Sequence, residues 1–126
     1  MKRFSFQERF RLKERDFFQL IFDNGARTAT SAFIMWHINV LDRPELVKKG
    51  TKKIGIIVSR KLGNAVRRNR VKRLIRESFR LSRENIKDGF WMILYPKNGC
   101  GMESAAEAAY ELKKIFDKAK ISGNEK

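Results

Sequence analysis

GNAVRRNRVKRLIRESFR, residues 63–80, is the stretch on which the reading of this chain depends. At about 100° per residue, Val71, Leu74, Ile75 and Ser78 fall on one side of a helix, flanked by Phe79. Nearly opposite lie Asn69, Arg73, Arg76 and Arg80, flanked by Lys72 and Arg83, with Arg68 and Arg70 to either side near the start. Asn64 is a suitable N-cap, and the pattern predicts a helix running to about residue 84. Within residues 63–80, Glu77 is the only carboxylate among Arg67, Arg68, Arg70, Lys72, Arg73, Arg76 and Arg80. A solvated helix face normally mixes signs, so that neighbours three and four apart attract. A face this one-sided repels itself unless something anionic lies against it.

Working outward, KKIGIIVSR (52–60) is a nearly continuous apolar strand, as expected where both faces are covered. GFWMILY (89–95) reads as a further strand, ended by Pro96. SAFIMWHINVL (31–41) alternates, with Ile34, Trp36, Ile38 and Val40 on one face and Phe33, Met35, His37 and Asn39 on the other. Phe33 is assigned to the core. Before it, Phe18, Ile21 and Phe22 recur at helical spacing from a capping Asp16 until Asn24-Gly25 stops the helix. MESAAEAAYELKKIFDKAK (102–120) is a last helix, with acids early and lysines late to suit its dipole. DRPELVKKGT (42–51) reads as a polar connection and NGCG (98–101) as a turn. The order is helix, strand, strand, helix, strand, helix: one α+β domain over residues 1–126, built as a two-layer α/β sandwich. Residues 1–10, basic and dotted with Phe4, Phe6 and Phe10, are expected as an extended arm, and residues 121–126 as a flexible tail.

The 126 residues are 42% hydrophobic, so this is no disordered basic tail. Lys and Arg number 29 against 14 Asp plus Glu, a formal charge of +15, which predicts a polyanionic partner. A membrane-surface helix would need a spare hydrophobic side, whereas this one requires its apolar side for packing. The predominance of Arg over Lys on the basic helix favours phosphate held bidentately, and hence nucleic acid. Strands on either side of that helix argue against a helix-turn-helix DNA regulator. Duplex RNA admits no helix to its deep major groove, so an RNA partner would be gripped by phosphates and shape. No run of about twenty apolar residues is present to span a bilayer. The basic N-terminus lacks the apolar stretch of a secretory signal, and the lone Cys100 permits no internal disulfide; a cytoplasmic setting is expected.

Catalytic groups are scarce. His37 is the single histidine and sits in a strand, one His and one Cys make no zinc site, and neither Ser59 nor Ser78 has a base in sequence reach. Gly99 and Gly101 suit a turn better than a phosphate loop. Single-stranded nucleic acid, by contrast, is bound by aromatics beside a cationic track. Phe18 and Phe22 could form such a ridge, although Phe at that spacing suits core packing equally well.

SRKLGNAVRRNRVKRLIRESFR (59–80) resembles the signature of the bacterial ribonuclease P protein subunit family: a basic pair, a short loop, then R-N-R-x-x-K/R on a helix. The matching positions are Arg60-Lys61, Gly63-Asn64, Arg68-Asn69-Arg70, Lys72-Arg73 and Arg76. RLKERDFFQLIFDNG (11–25) and FIMW (33–36) extend the resemblance, which covers residues 11–96. It implies a protein that binds a large catalytic RNA and, with it, removes the 5′ leader of precursor tRNA. The RNA would supply the active site, the protein no catalytic residue. Arg67, Arg68, Asn69, Arg70, Lys72, Arg73, Arg76 and Arg80 would meet the catalytic RNA. A cleft between the first helix and the sheet, carrying Phe18, Phe22, Trp36, Ile57, Ser59, Arg60 and Lys61, would receive the leader. Many family members have a small polar residue where Ile57 stands, so one hydrogen-bonding group is missing from that cleft face. The implied fold is that of the second domain of ribosomal protein S5, with a left-handed β-α-β crossover where general rules favour the right-handed one. Mg2+ is expected in the ribonucleoprotein, held mainly by RNA, with no protein metal ligand and no obligate protein partner. The alternative is a non-catalytic ribosomal or RNA-assembly protein, which would share the basic helix but not need the aromatic platform.

Overall fold

The computed structural model describes residues 15–98 and 100–122; the expected arm over residues 1–10 and the last four residues lie outside these. The first helix, α1 (Arg15–Asn24), turns Ile21 fully inward and half-buries Phe17, Phe18 and Leu20 beside it. It ends where Asn24 Nδ2 donates to the Leu20 carbonyl at 3.1 Å and the Gly25 amide donates to that of Ile21 at 2.7 Å. A Cβ at Gly25 would lie 2.6 Å from the Ile21 carbonyl oxygen and 2.8 Å from that of His37. Glycine is therefore what lets the helix end lie this close to the sheet.

Four strands follow in the order β1-β2-β4-β3 across one sheet: β1 (Ala26–Ala29), β2 (Phe33–Asn39), β3 (Lys52–Ile56) and β4 (Phe90–Pro96). β2 pairs antiparallel with both β1 and β4, while β3 runs parallel to β4. A parallel pair needs a crossover. It is supplied by the basic helix, α3 (Ala65–Ser82), which follows a 3-10 turn at Arg60–Leu62 and ends in another at Arg83–Asn85. A single-turn helix, α2 (Pro44–Val47), interrupts the expected polar connection, with Pro44 at its start and Leu46 buried. The last helix is α4 (Ala105–Ala119). The strands, the basic helix and the last helix stand where the sequence places them; β1 and α2 are additions to that reading.

Strand alternation distributes the apolar groups to two sides. Phe33, Met35, Ile54, Met92 and Leu94 meet Val71, Ile75 and Phe79 of α3 and Leu112, Ile115 and Phe116 of α4. On the other side Ile38, Trp91 and Ile93 meet Ile21 of α1 and Leu46 of α2. The α3–α4 layer and the sheet form the expected sandwich, and α1 adds partial cover to the opposite face. The tail expected from residue 121 is corrected at its start. Ile121 is fully buried, its carbonyl accepts from the Lys87 amide at 2.8 Å, and Ser122 bridges to Ile86. No helix among the described residues is long and apolar enough to cross a membrane.

His37 lies on the α3–α4 side of β2, its ring edge-on to Phe90 at 5.5 Å and its Nδ1 buried without a hydrogen-bond partner among the described residues. Burial lowers its pKa below the ordinary 6.5. A base whose folded pKa is depressed protonates first in the unfolded chain, so stability is full above 6.5 and declines as pH falls from there toward the folded value. Between about pH 7.5 and 5.5 the unfolding free energy should fall, by no more than about 1.4 kcal/mol per pH unit from this one proton, and the melting temperature with it. His37→Leu should flatten that dependence in thermal melts across the same window.

Candidate nucleic-acid interface

The start of α3 is built from a turn. Ser59 Oγ accepts the Lys61 amide at 3.0 Å, which shapes the 3-10 turn, and Gly63 then takes a φ of +148° that side chains disfavour. The Asn64 Oδ1 accepts the Arg67 amide at 2.9 Å, the predicted N-cap. Arg67 lies back over Gly63; a Cβ there would come within 3.2 Å of its Cβ, Cγ and Cδ. No acid stands in the first turn, where the helix dipole favours one, and two arginines stand there instead. At the far end the dipole is answered by cations: Lys52 Nζ donates to the Arg83 carbonyl and Arg83 Nη1 to that of Arg80, both at 2.6 Å.

Helical geometry and contacts divide the cations of α3 among three surfaces. Arg67 and Arg70 lie toward α4. Arg68 and Lys72 lie on the other flank, lining with Asn69, Val58 and Ala65 a pocket of about 150 Å³. Arg73 stands exposed on the ridge between, with Arg80 further along and Arg76 half-buried. Two of these cations are answered by acids, one by Glu77 of the helix itself and one by a residue from outside it. Arg67 Nη1 pairs with Glu103 Oε2 at 3.3 Å, and Arg80 Nε donates to Glu77 Oε1 at 3.2 Å. The hydrogen bond from Arg80 holds the Glu77 carboxyl below its usual range. Arg70 Nη2 donates to the Glu103 carbonyl at 2.9 Å, a neutral acceptor that leaves its charge uncancelled. Glu103 was missed because it follows Arg67 by 36 positions; its acid charge just before a helix N-cap was the only sequence signal.

The second predicted group gathers on the opposite face of the sheet. Phe17 meets Trp91 edge-on, and five residues later Phe22 meets Trp36 at 5.0 Å with 82° between the rings. Phe22 remains 38% exposed, while Phe18, Trp36 and Ile57 are half-buried against the smaller core. The structure thus joins Phe22 to Trp36 directly and places Phe18 and Ile57 on the same face. Ser59 follows along the chain, and Arg60 and Lys61 are exposed in the turn that leads to α3. Two neighbours were missed. Arg27 pairs with Trp36 across the hairpin, and Tyr95, half-buried, pairs with Ile34 one row beyond. Alternation along FWMILY groups Tyr95 with Trp91 and Ile93, but only the β2–β4 register puts that group on the Trp36 face; Arg27 depended on the unforeseen β1.

The chain matches the Ribonuclease P family over residues 6–120. A Bacillus cereus protein named ribonuclease P protein component is 35% identical over 113 residues, spanning 90% of this chain and 93% of that protein. A Staphylococcus epidermidis protein of the same name is 34% identical over 117 residues, 89% of this chain and 96% of its own. Among solved structures, the RNase P protein of Staphylococcus aureus superposes with a TM-score of 0.74 at 27% identity, covering 94% of this chain and 96% of that one. The Thermotoga maritima RNase P protein gives 0.67 at 26% identity, covering 90% and 98%.

The three surfaces differ in what they do for the fold. Arg67→Ala removes both an ion pair and a side-chain stem packed on Gly63, and should lower stability by about 1 kcal/mol. Arg73 is exposed on the ridge, and Arg73→Ala should stay within about 0.5 kcal/mol of the parent. Urea melts of the two variants check the contrast.

Proposed function

This chain belongs to the ribonuclease P protein family, and from that membership we propose that it is the protein subunit which, with the catalytic RNA, removes the 5′ leader of precursor tRNA. The observation that carries the reading is the presence of two unlike surfaces on one small domain. α3 offers cations on two flanks and a ridge, suited to phosphates of a folded RNA. The α1 side of the sheet offers the Phe22–Trp36 pair with half-buried Phe18, Ile57 and Tyr95 beside it, suited to unstacked bases. Exposed Arg60 and Lys61 lie on the connection between the two and would track the leader backbone toward its junction with tRNA.

Chemistry is assigned to the RNA. His37, the single histidine, is half-buried against Phe90 with its proton affinity lowered, and it faces the α3–α4 core rather than either binding surface. The protein's part is to bind and align: cations on α3 offset the repulsion between two RNAs, and the aromatic face holds the leader extended. Mg2+ would sit on crowded phosphates. Among the described residues no group of three His, Cys, Asp or Glu gathers that could hold a metal, so no protein ligand is assigned.

Two measurements test this. Replacing Arg68, Arg70 and Arg73 with Ala should weaken binding to ribonuclease P RNA and flatten its salt dependence, each lost contact removing roughly 0.7 to 0.9 from the log–log slope. An unchanged slope would mean that these cations are merely solvated. Phe22→Leu and Trp36→Leu keep apolar volume but lose the ring face. In the assembled complex they should weaken leader-bearing tRNA about five- to a hundredfold and leave mature tRNA unmoved. Equal weakening of both substrates, together with early melting, would assign the pair to the core instead.

A further inference from the structure

We propose that Glu103 is a built-in phosphate surrogate: its carboxylate occupies Arg67 before RNA arrives and so restrains indiscriminate phosphate binding at the α4 flank of α3. This rests on the reading of α3 as an RNA-binding helix.

The main chain of Glu103 is fixed by a reciprocal cap. Ser104 Oγ accepts the Glu107 amide at 3.2 Å, and Glu107 Oε1 accepts the Glu103 amide at 2.7 Å. From this anchored position the residue acts twice on α3. Its carbonyl takes one N–H of Arg70, which aims that guanidinium and leaves its full charge for a ligand. Its carboxylate takes Arg67, cancelling the charge. A carboxylate offers a guanidinium the same two-oxygen edge as a phosphate, so the two compete for one fork.

The exchange is feasible without unpacking. The Glu103 side chain is 62% exposed and can swing away, while the Arg67 side chain, 30% exposed, stays anchored through its stem on Gly63. Any phosphate approaching this flank must displace the carboxylate or tolerate its charge. An unrelated RNA can slide to exploit whichever cation is free, so it gains whenever Arg67 is released. A geometrically fixed complex gains only if one of its phosphates already lies there. Glu103 therefore acts on selectivity more than on cognate affinity.

The test uses the full chain, ribonuclease P RNA and an unrelated duplex RNA, with binding measured over a salt series and a melt for each variant. Glu103→Gln should bind the unrelated duplex about two- to fivefold more tightly, the range expected for losing one exposed charge pair. Its salt slope should steepen by roughly 0.7 to 0.9, for one added phosphate contact. The gain on ribonuclease P RNA should be smaller, and both gains should vanish when Arg67→Ala is added. Glu45→Gln, an exposed acid on α2 remote from this flank, removes the same charge and should leave the slope unchanged. Weaker binding by Glu103→Gln would make the residue a positioning group, and an equal effect of Glu45→Gln would reduce it to net charge; either result, or no change at all, overturns the proposal. Parent protein that binds ribonuclease P RNA no better than the unrelated duplex would instead overturn the functional reading, whatever the Glu103 and Arg67 variants show.

Discussion

Trp91, Met92, Ile93 and Leu94 are all fully buried, which four successive strand residues can achieve only when both faces of their sheet are covered. β4 accordingly feeds two cores at once: Met92 and Leu94 reach α3 and α4, Trp91 and Ile93 reach α1 and α2. Each such side chain contributes about 1.5 to 3 kcal/mol by leaving water. The polar atom among them is satisfied, since Trp91 Nε1 donates to the Gly50 carbonyl at 2.9 Å. Because β4 lies between β2 and β3, it also sets where the two proposed binding surfaces stand relative to one another. The parallel β3–β4 pair requires α3 to cross on one face. The antiparallel β2–β4 pair brings Trp36 to the other.

α3 carries a conflict that a purely structural helix would not. It places arginines where its own dipole repels them and crowds like charges at three- and four-residue spacing. Tertiary contacts hold it regardless. Val71, Ile75 and Phe79 are buried, and Ser78 is buried with them, its hydroxyl donating to the Ala105 carbonyl at 3.2 Å where α3 meets α4. A local rule broken on the exposed side and offset on the buried side is the pattern expected where a surface serves a ligand.

The same economy appears on the α1 face. The helix covers the sheet from Trp91 to Trp36 and stops at Gly25, leaving Ile34 and Tyr95 half-buried in the next row. A longer helix would bury that row and close the face. The close approach demanded by Gly25 thus fixes both the seat of α1 and the end of its cover.

By itself the sequence determined whatever acts within a few residues: the alternation of β2, the cap at Asn64, the inward face of α3 through Val71, Ile75 and Ser78, and the acids and lysines that suit α4. Its central motif also carried the family. β1 was invisible because ARTA has no apolar alternation, and the strand exists only through its register with β2. Phe17 was passed over beside Phe18 and Phe22, since spacing alone does not say which ring of three meets Trp91. Ile121 looked like a tail until the chain brought it back to Lys87. The division of labour among the arginines was decided by tertiary structure alone. A helix period states which cations share a face, but whether a charge is answered depends on what the chain brings to it, and for Arg67 that is a carboxylate 36 residues away.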